Sequence, residues 1–384
     1  MIPDSRTVGS LSDAVEFHRP YLTGREPAAL AEVLTGTMHG GGTATRRCQD
    51  MLSRMHNDAP VLLTLSCTAA LEMSALLLDL RPGDEVIVPS FTFVSSASAF
   101  ALRGAVPVFA DARPEDMTID PVQVEAAITP RTKAICVVHY AGAPCAIDEL
   151  KAIAGAHGLR LIEDAAQSIG ADFYGRPLGT FGDLAAVSFH ATKNIHCGEG
   201  GALIINDPEL VERAEVLWEK GTNRKRWVRG EIDKYTWIDL GSSFLPSELQ
   251  AGMLSVQLED VERVTAARRD LWDTYMRELA PLSGSGRFEL PQLGPGIGHN
   301  GHIFFLRFTD MDRADRFTAS MAEARIKVFR HYVALHDTPA GRRLGRANGD
   351  CPVTRHAENC LIRLPMWPGV DIQRVLDAAM KALA

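Results

Sequence analysis

From about residue 60 to 206 the chain alternates short, β-rich apolar runs with helical stretches, and this rhythm restricts its possible folds more than any other feature. Residues 61–65 are followed by a helical stretch at 69–78, 85–88 by one at 94–102, and 134–138 by one at 147–156. The runs at 160–163, 185–189 and 202–205 continue the series. Runs that are apolar on both faces and bounded by turn residues suit strands of a mostly parallel sheet held between helical layers.

After Asn206 the pattern changes. Pro246 and Ser247 open a long helical stretch with Ser247 as N-cap, and Leu249, Met253, Val256, Leu258, Val261, Val264 and Leu271 recur at near-helical spacing. Beyond the Pro/Gly segment at 291–298, residues 302–308 read as a strand, 313–323 as a helix, 328–332 as a strand and 372–383 as a terminal helix. The expected division is an N-terminal arm and large domain over 1–245, then a bridging helix and a small α/β domain over 246–384.

The 384 residues give room for two or three domains. Forty Lys and Arg against forty-eight Asp and Glu leave a net charge of −8, which argues against a nucleic-acid partner. No apolar stretch reaches the length of a membrane span and the N-terminus lacks a secretory pattern, so a soluble, cytoplasmic protein without a membrane partner is expected. Seven scattered cysteines without C-x-x-C, and histidines without H-E-x-x-H, suit reduced thiols and no metal site.

In an open α/β sheet, ligands bind beyond the carboxyl ends of the strands, and three such ends carry candidate chemistry. Ser66-Cys67-Thr68-Ala69-Ala70 places small residues where a helix begins, and such a turn can cradle a phosphate or simply pack. Glu163-Asp164-Ala165-Ala166-Gln167-Ser168 puts a carboxylate at a strand end, where it either caps a helix or holds a proton on a heteroaromatic nitrogen. Ser188-Phe189-His190-Ala191-Thr192-Lys193-Asn194 carries a lysine among small and apolar neighbours. An arbitrary lysine snorkels to solvent, whereas a desolvated one becomes a nucleophile or base. Together, a phosphate cup, a carboxylate and a lysine are the parts needed to hold pyridoxal phosphate.

These segments, with Gly198-Glu199-Gly200-Gly201 after the lysine, resemble the fold-type-I aminotransferases, and specifically the DegT/DnrJ/EryC1 group acting on nucleotide-linked keto sugars. Gly221-Thr222-Asn223-Arg224, Asp233-Lys234-Tyr235-Thr236-Trp237 and Asp239-Leu240-Gly241-Ser242-Ser243 are most similar to the subgroup making dTDP-4-amino-4,6-dideoxygalactose. The resemblance implies a large domain with a mostly parallel seven-stranded sheet and a smaller C-terminal α/β domain. It also implies L-glutamate as donor, dTDP-4-dehydro-6-deoxy-D-glucose as acceptor, pyridoxal 5′-phosphate cycling through pyridoxamine 5′-phosphate, and a homodimer with active sites at the interface.

Carried over by residue, the resemblance makes Lys193 the amine that bonds to the cofactor and then shuttles a proton. Asp164 would pair with the ring nitrogen, Gln167 would sit near the ring oxygen, and Ser188 with the backbone around Thr68 and Ala69 would bind the phosphate. Phe93, rather than Phe91, would stack on the ring. Ser243 would reach the partner chain's phosphate, where sister groups have Asn. Arg224 would meet the sugar-nucleotide phosphates or the donor carboxylate, and His331, Tyr332 and His336 would approach the substrate. The subgroup has Glu where this chain has Ala191, a departure that bears on the choice of sugar.

Other readings stand beside this one. Related nucleotide-sugar dehydratases using pyridoxamine phosphate have histidine at the lysine position, which Lys193 opposes. A non-enzymatic regulator would be suggested by loss of Lys193 or Asp164, and a nicotinamide-dependent oxidoreductase would need a G-x-G-x-x-G after an early strand, which is missing. An aminotransferase for another keto sugar, aminated at C3 or linked to UDP or GDP, is the nearest alternative.

Overall fold

The computed structural model describes residues 14–284 and 286–384. The chain lays down β1 (Val61–Thr64), β2 (Glu85–Pro89), β3 (Val106–Ala110), β4 (Thr132–Val138) and β5 (Arg160–Asp164). A short hairpin of β6 (Asp172–Phe173) and β7 (Arg176–Pro177) precedes β8 (Leu184–Ser188) and β9 (Gly201–Ile205). Later come β10 (Phe288–Glu289), β11 (Ile297–Gly298), β12 (Phe304–Phe308), β13 (Phe329–Arg330), β14 (Arg346–Ala347) and β15 (Leu361–Leu364). The large sheet has the order β1-β9-β8-β5-β4-β2-β3-β14, and every neighbouring pair is parallel except those made by β9.

Side chains on a strand alternate between faces, and the large sheet has a core on each side. Along β4, Ala134 and Cys136 enter one core while Ile135 and Val137 enter the opposite one. The first core takes the buried faces of helices Cys67–Leu77 and Ser95–Ala101, and the second takes helix Ile147–His157. A smaller antiparallel sheet, β10-β12-β15-β13, has its own core, in which Phe304, Leu306 and Phe308 meet Phe317, Leu376 and Tyr275.

The expected elements depart from this in four places. The strand β3 is absent from the sequence reading because Pro107 interrupts its pattern; it lies near the edge of the sheet, next to the two-residue β14. That strand comes from the C-terminal third and makes the large sheet eight-stranded rather than seven-stranded. The expected bridging helix is two helices, Glu248–Leu258 and Val261–Ser283. Between them Glu259 and Asp260 are drawn outward by Arg25, Arg47, Arg263 and the Tyr21 hydroxyl, and the Asp260 N–H closes a tight turn on Gln257 O at 3.0 Å. The fourth is the strand expected at 328–332, which shrinks to Phe329–Arg330 and leaves His331 and Tyr332 outside the ladder.

Residues after 245 are shared between the cores. Ala251, Leu254 and Leu258 pack with Leu63 and Val187 of the large sheet, whereas Trp272 and Leu279 pack with the small one. Val15 is tied to the small-sheet side through Val15 N–Arg325 O at 2.8 Å and Lys327 N–Val15 O at 3.0 Å. No helix among the described residues is long and apolar enough to cross a membrane.

Candidate active site

The carboxyl ends of β1, β4, β5 and β8 open into a cleft of about 590 Å³ whose other wall comes from the small sheet. Where β1 ends, Ser66 caps helix Cys67–Leu77 by accepting the Ala69 N–H at 3.1 Å. The remaining first-turn N–H groups have no acceptor within the helix. Thr68 Oγ1 lies 2.7 Å from Ser95 Oγ, so hydroxyls and a helix N-terminus converge in a manner suited to a phosphate. Gly201 leaves room for the Ser66–Cys67 peptide that starts this helix, because a Cβ there would lie 2.3 Å from the carbonyl carbon of Ser66.

Asp164 ends β5, is almost fully buried, and lines the cleft. Its neighbour Glu163 points elsewhere and accepts from His139 Nε2 at 2.8 Å and from the N–H groups of Gly179, Phe181 and Gly182 at 2.7–2.8 Å. Beyond β8 the chain folds back on itself through Phe189 N–Gly200 O and Ala191 N–Gly198 O, at 2.8 and 2.7 Å, with Gly198 at φ +85°. This loop presents Lys193 to the cleft beside Ser188. Desolvation lowers the pKa of the lysine amine, with Arg363 adding to the effect against the pull of Cys67 and Asp164.

The opposite wall is rich in cationic and aromatic groups. Gln167 takes the Ala141 N–H on Oε1 at 2.7 Å and lies 3.2 Å from the Tyr332 hydroxyl through Nε2. His331 stacks on Tyr332 and meets the Tyr140 hydroxyl at 3.2 Å. Burial, reinforced by Arg363 and Lys193, pushes the His331 imidazole down to about 2, so it is neutral. Burial likewise holds His302 well below its ordinary value and Arg268 at about 9. Arg268 donates to the carbonyls of Gly301 and His302, and Arg363 donates to Arg330 O and lies over Phe17. Neither guanidinium pairs with a carboxylate among the described residues, so both remain available to an anion.

Of the residues expected from the sequence, Lys193, Asp164, Gln167, Ser188, Thr68, Phe93, His331 and Tyr332 line this one cleft. Phe93 is 58% exposed, while Phe91 is core, packed edge-on against Tyr140 and Tyr332. The Ala69 N–H is already taken by the Ser66 cap. His336 is buried with Nδ1 2.6 Å from Ser90 Oγ and lies outside the lining. Arg224 and Ser243 also lie outside it: Arg224 pairs with Glu219 at 2.8 Å in a separate groove, and the exposed Ser243 is bridged to the same Glu219. Ala191 accepts from His18 Nε2 on its carbonyl at 2.9 Å.

His18, Arg268, His302 and Arg363 line the cleft but escape the sequence reading. Arg363 alone leaves a trace there, as a charge inside the apolar run Leu361-Ile362-Arg363-Leu364. The others come from segments whose local pattern carries no sign of the cleft.

The donor set fits pyridoxal phosphate. It has a desolvated amine, a buried carboxylate with an acceptor position open, and hydroxyls at a helix N-terminus. Such a cofactor, when bound, supplies an electron sink for carbanion chemistry.

Comparison with known proteins agrees with this geometry. The chain is 38% identical over 301 residues to the erythromycin biosynthesis sensory transduction protein EryC1 of Saccharopolyspora erythraea, covering 78% of each chain. It is 31% identical over 367 residues to the uncharacterized protein MJ1066 of Methanocaldococcus jannaschii, covering 94% of each. The structure of DesV from S. venezuelae, solved in complex with a ketimine intermediate, matches with a TM-score of 0.87 and 31% identity over 96% of this chain and 98% of that one. The aminotransferase TlmJ from Streptoalloteichus hindustanus matches with a TM-score of 0.88 and 28% identity over 96% and 99%. Residues 20–380 match the DegT/DnrJ/EryC1/StrS aminotransferase family, and the chain belongs to it.

Proposed function

We propose that this sugar aminotransferase moves the amino group of L-glutamate to C4 of dTDP-4-dehydro-6-deoxy-D-glucose. The products are 2-oxoglutarate and dTDP-4-amino-4,6-dideoxy-D-galactose or its C4 epimer. The cofactor is pyridoxal 5′-phosphate, and the observation that carries the reading is the meeting of Lys193 and Asp164 in one cleft. Asp164 would hold a proton on the ring nitrogen, while Thr68, Ser95 and Ser188 would hold the phosphate. Lys193, its pKa lowered by desolvation, would take a proton from the donor's α-carbon onto Nζ and give it up again to complete the transfer. Arg268 and Arg363 supply unpaired positive charge for a dicarboxylate donor and a nucleoside diphosphate acceptor. The segments around 221–243 support the choice of sugar by resemblance.

The working unit is proposed to be a homodimer. Trp237 is 74% exposed, and Val228, Ile238 and Leu240 of the same 221–243 stretch are also exposed. An apolar surface of this kind suits a second copy of the chain. Arg224 and Ser243 belong to the same region, from which they would serve the partner's cleft. Sedimentation is expected to show a dimer and Trp237→Glu to weaken it; a monomer active on the sugar would refute the arrangement.

The acceptor is tested by converting the loaded enzyme to its pyridoxamine form with glutamate, removing the donor and adding the dTDP-linked 4-keto sugar. Return of the visible absorbance supports the assignment. Bleaching by glutamate without return would leave an aminotransferase with a different acceptor.

A further inference from the structure

A carboxylate can accept about four hydrogen bonds. On Asp164, Oδ1 takes the Ala166 N–H at 3.1 Å and the Cys67 thiol at 3.9 Å. Burial and the nearby carboxylate push the Cys67 pKa far up, so it stays a thiol and a donor. Oδ2 takes the Ser96 hydroxyl at 2.6 Å. Three positions are filled, and the fourth, on Oδ2, is free for a ligand of the cleft.

Ser96 is fully buried on helix Ser95–Ala101 and has one proton to give. That proton goes to Oδ2 of Asp164, so the 2.9 Å contact between Thr92 Oγ1 and Ser96 Oγ is a bond in which Thr92 donates. The chain therefore runs one way, from Thr92 to Ser96 to Asp164. Each bond polarises the next, so Ser96 is a stronger donor than an isolated hydroxyl.

We propose that Ser96 is a positioning residue for the cofactor: with Thr92 behind it, it fixes the Asp164 carboxylate so that the open position of Oδ2 meets the ring nitrogen. The proposal rests on the pyridoxal phosphate reading of the cleft. A carboxylate that keeps its Oδ1 bonds but loses Ser96 can rotate, and a second buried acceptor position is left unfilled.

The test is titration of the apo-enzyme with pyridoxal phosphate, together with the pH midpoint of the visible absorbance of the loaded enzyme. In Ser96→Ala the dissociation constant should rise ~10- to 100-fold, the loss typical of a hydrogen bond to a charged group. The midpoint should move upward, because a ring nitrogen that sheds its proton no longer repels the proton on Lys193 Nζ. Thr92→Val, nearly isosteric, should move both in the same direction by a smaller factor, and Ser96→Thr, which keeps the hydroxyl, should restore them. A merely structural role would lower thermal stability without moving the midpoint. Unchanged constants in Ser96→Ala, alongside large changes in Asp164→Ala, overturn the proposal and leave the cofactor reading intact. If Asp164→Ala also moves neither, the cofactor reading fails and the proposal with it. Should Ser96→Ala not fold, Thr92→Val decides by the same two readouts.

Discussion

Replacing Glu163 should cost more stability than replacing almost any other polar side chain in the protein. Its carboxylate is fully buried and accepts four bonds: Phe181 and Gly182 N–H on Oε1, Gly179 N–H and His139 Nε2 on Oε2. His139 Nδ1 faces the Cys145 N–H at 3.3 Å, so the ring proton is on Nε2 and points at the glutamate. Glu163→Ala strands four buried donors, and at about 1 kcal/mol or more for each the loss is at least ~4 kcal/mol. That is a large part of the ~5–15 kcal/mol by which a folded protein exceeds its unfolded state. Glu163→Gln is not a rescue: whichever way the amide turns, its NH₂ faces two N–H donors, and a loss of about 2–3 kcal/mol is expected. Burial opposes ionisation of Glu163, yet the bonds from His139, Gly182 and Gly179 overcome it and hold the pKa below its ordinary 4.5. The group therefore stabilises the fold above pH ~4.5, and this contribution is lost as the pH falls through the lowered native value. Urea unfolding of wild type, Glu163→Gln and Glu163→Ala at neutral pH checks the order. A loss under 1 kcal/mol in Glu163→Ala would refute the argument that these donors have no other acceptor.

Three further outcomes follow from the same structure. Lys193→Ala should abolish multiple turnover and the visible absorbance of the loaded enzyme, and a fully active variant would refute its role. His331, held at about 2 by burial, stays neutral in the folded state while its unfolded counterpart takes a proton below about 6.5. Stability should thus fall as the pH drops from 7 to 5, and urea midpoints for His331→Asn should show a shallower fall over this window than wild type. Ser247 makes a reciprocal cap with Gln250, accepting the Gln250 N–H while Gln250 Oε1 takes the Ser247 N–H at 3.0 Å. Ser247→Ala should cost about 1 kcal/mol in urea unfolding with cofactor affinity unchanged, since the Ser247 hydroxyl bonds only to Gln250 of its own helix and the separate bond from Gln250 Nε2 to Glu199 O at 2.8 Å is kept.

What could be read along the chain was whatever depends on near neighbours in sequence. The runs that became β1, β2, β4, β5, β8 and β9 declare themselves because a strand buried on both faces has to be apolar throughout. Asp164 stands out because it closes such a run and Lys193 because it lies in the turn just beyond one, and the Ser247 cap because its partner is three residues away. Contacts across long stretches of sequence leave no such trace. Pro107 hides β3, whose place depends on β2, and β14 has only two residues whose pairing depends on β3. The break at Glu259 and Asp260 depends on arginines more than 200 residues earlier in the chain.

The cleft shows the same division. By itself, the sequence determined the strand rhythm, the helix starts and the order in which phosphate cup, carboxylate and lysine occur. Those are local consequences of periodicity and capping. Only the tertiary structure decided that Ala69 spends its N–H on Ser66, and that His336, Arg224 and Ser243 stand outside the lining. It also brought His18, Arg268, His302 and Arg363 to Lys193, and set Ser96 on Asp164 from 68 residues away. A side chain's chemistry is written at its own position, but its desolvation and its partners come from segments that meet only when the sheets close over the cleft.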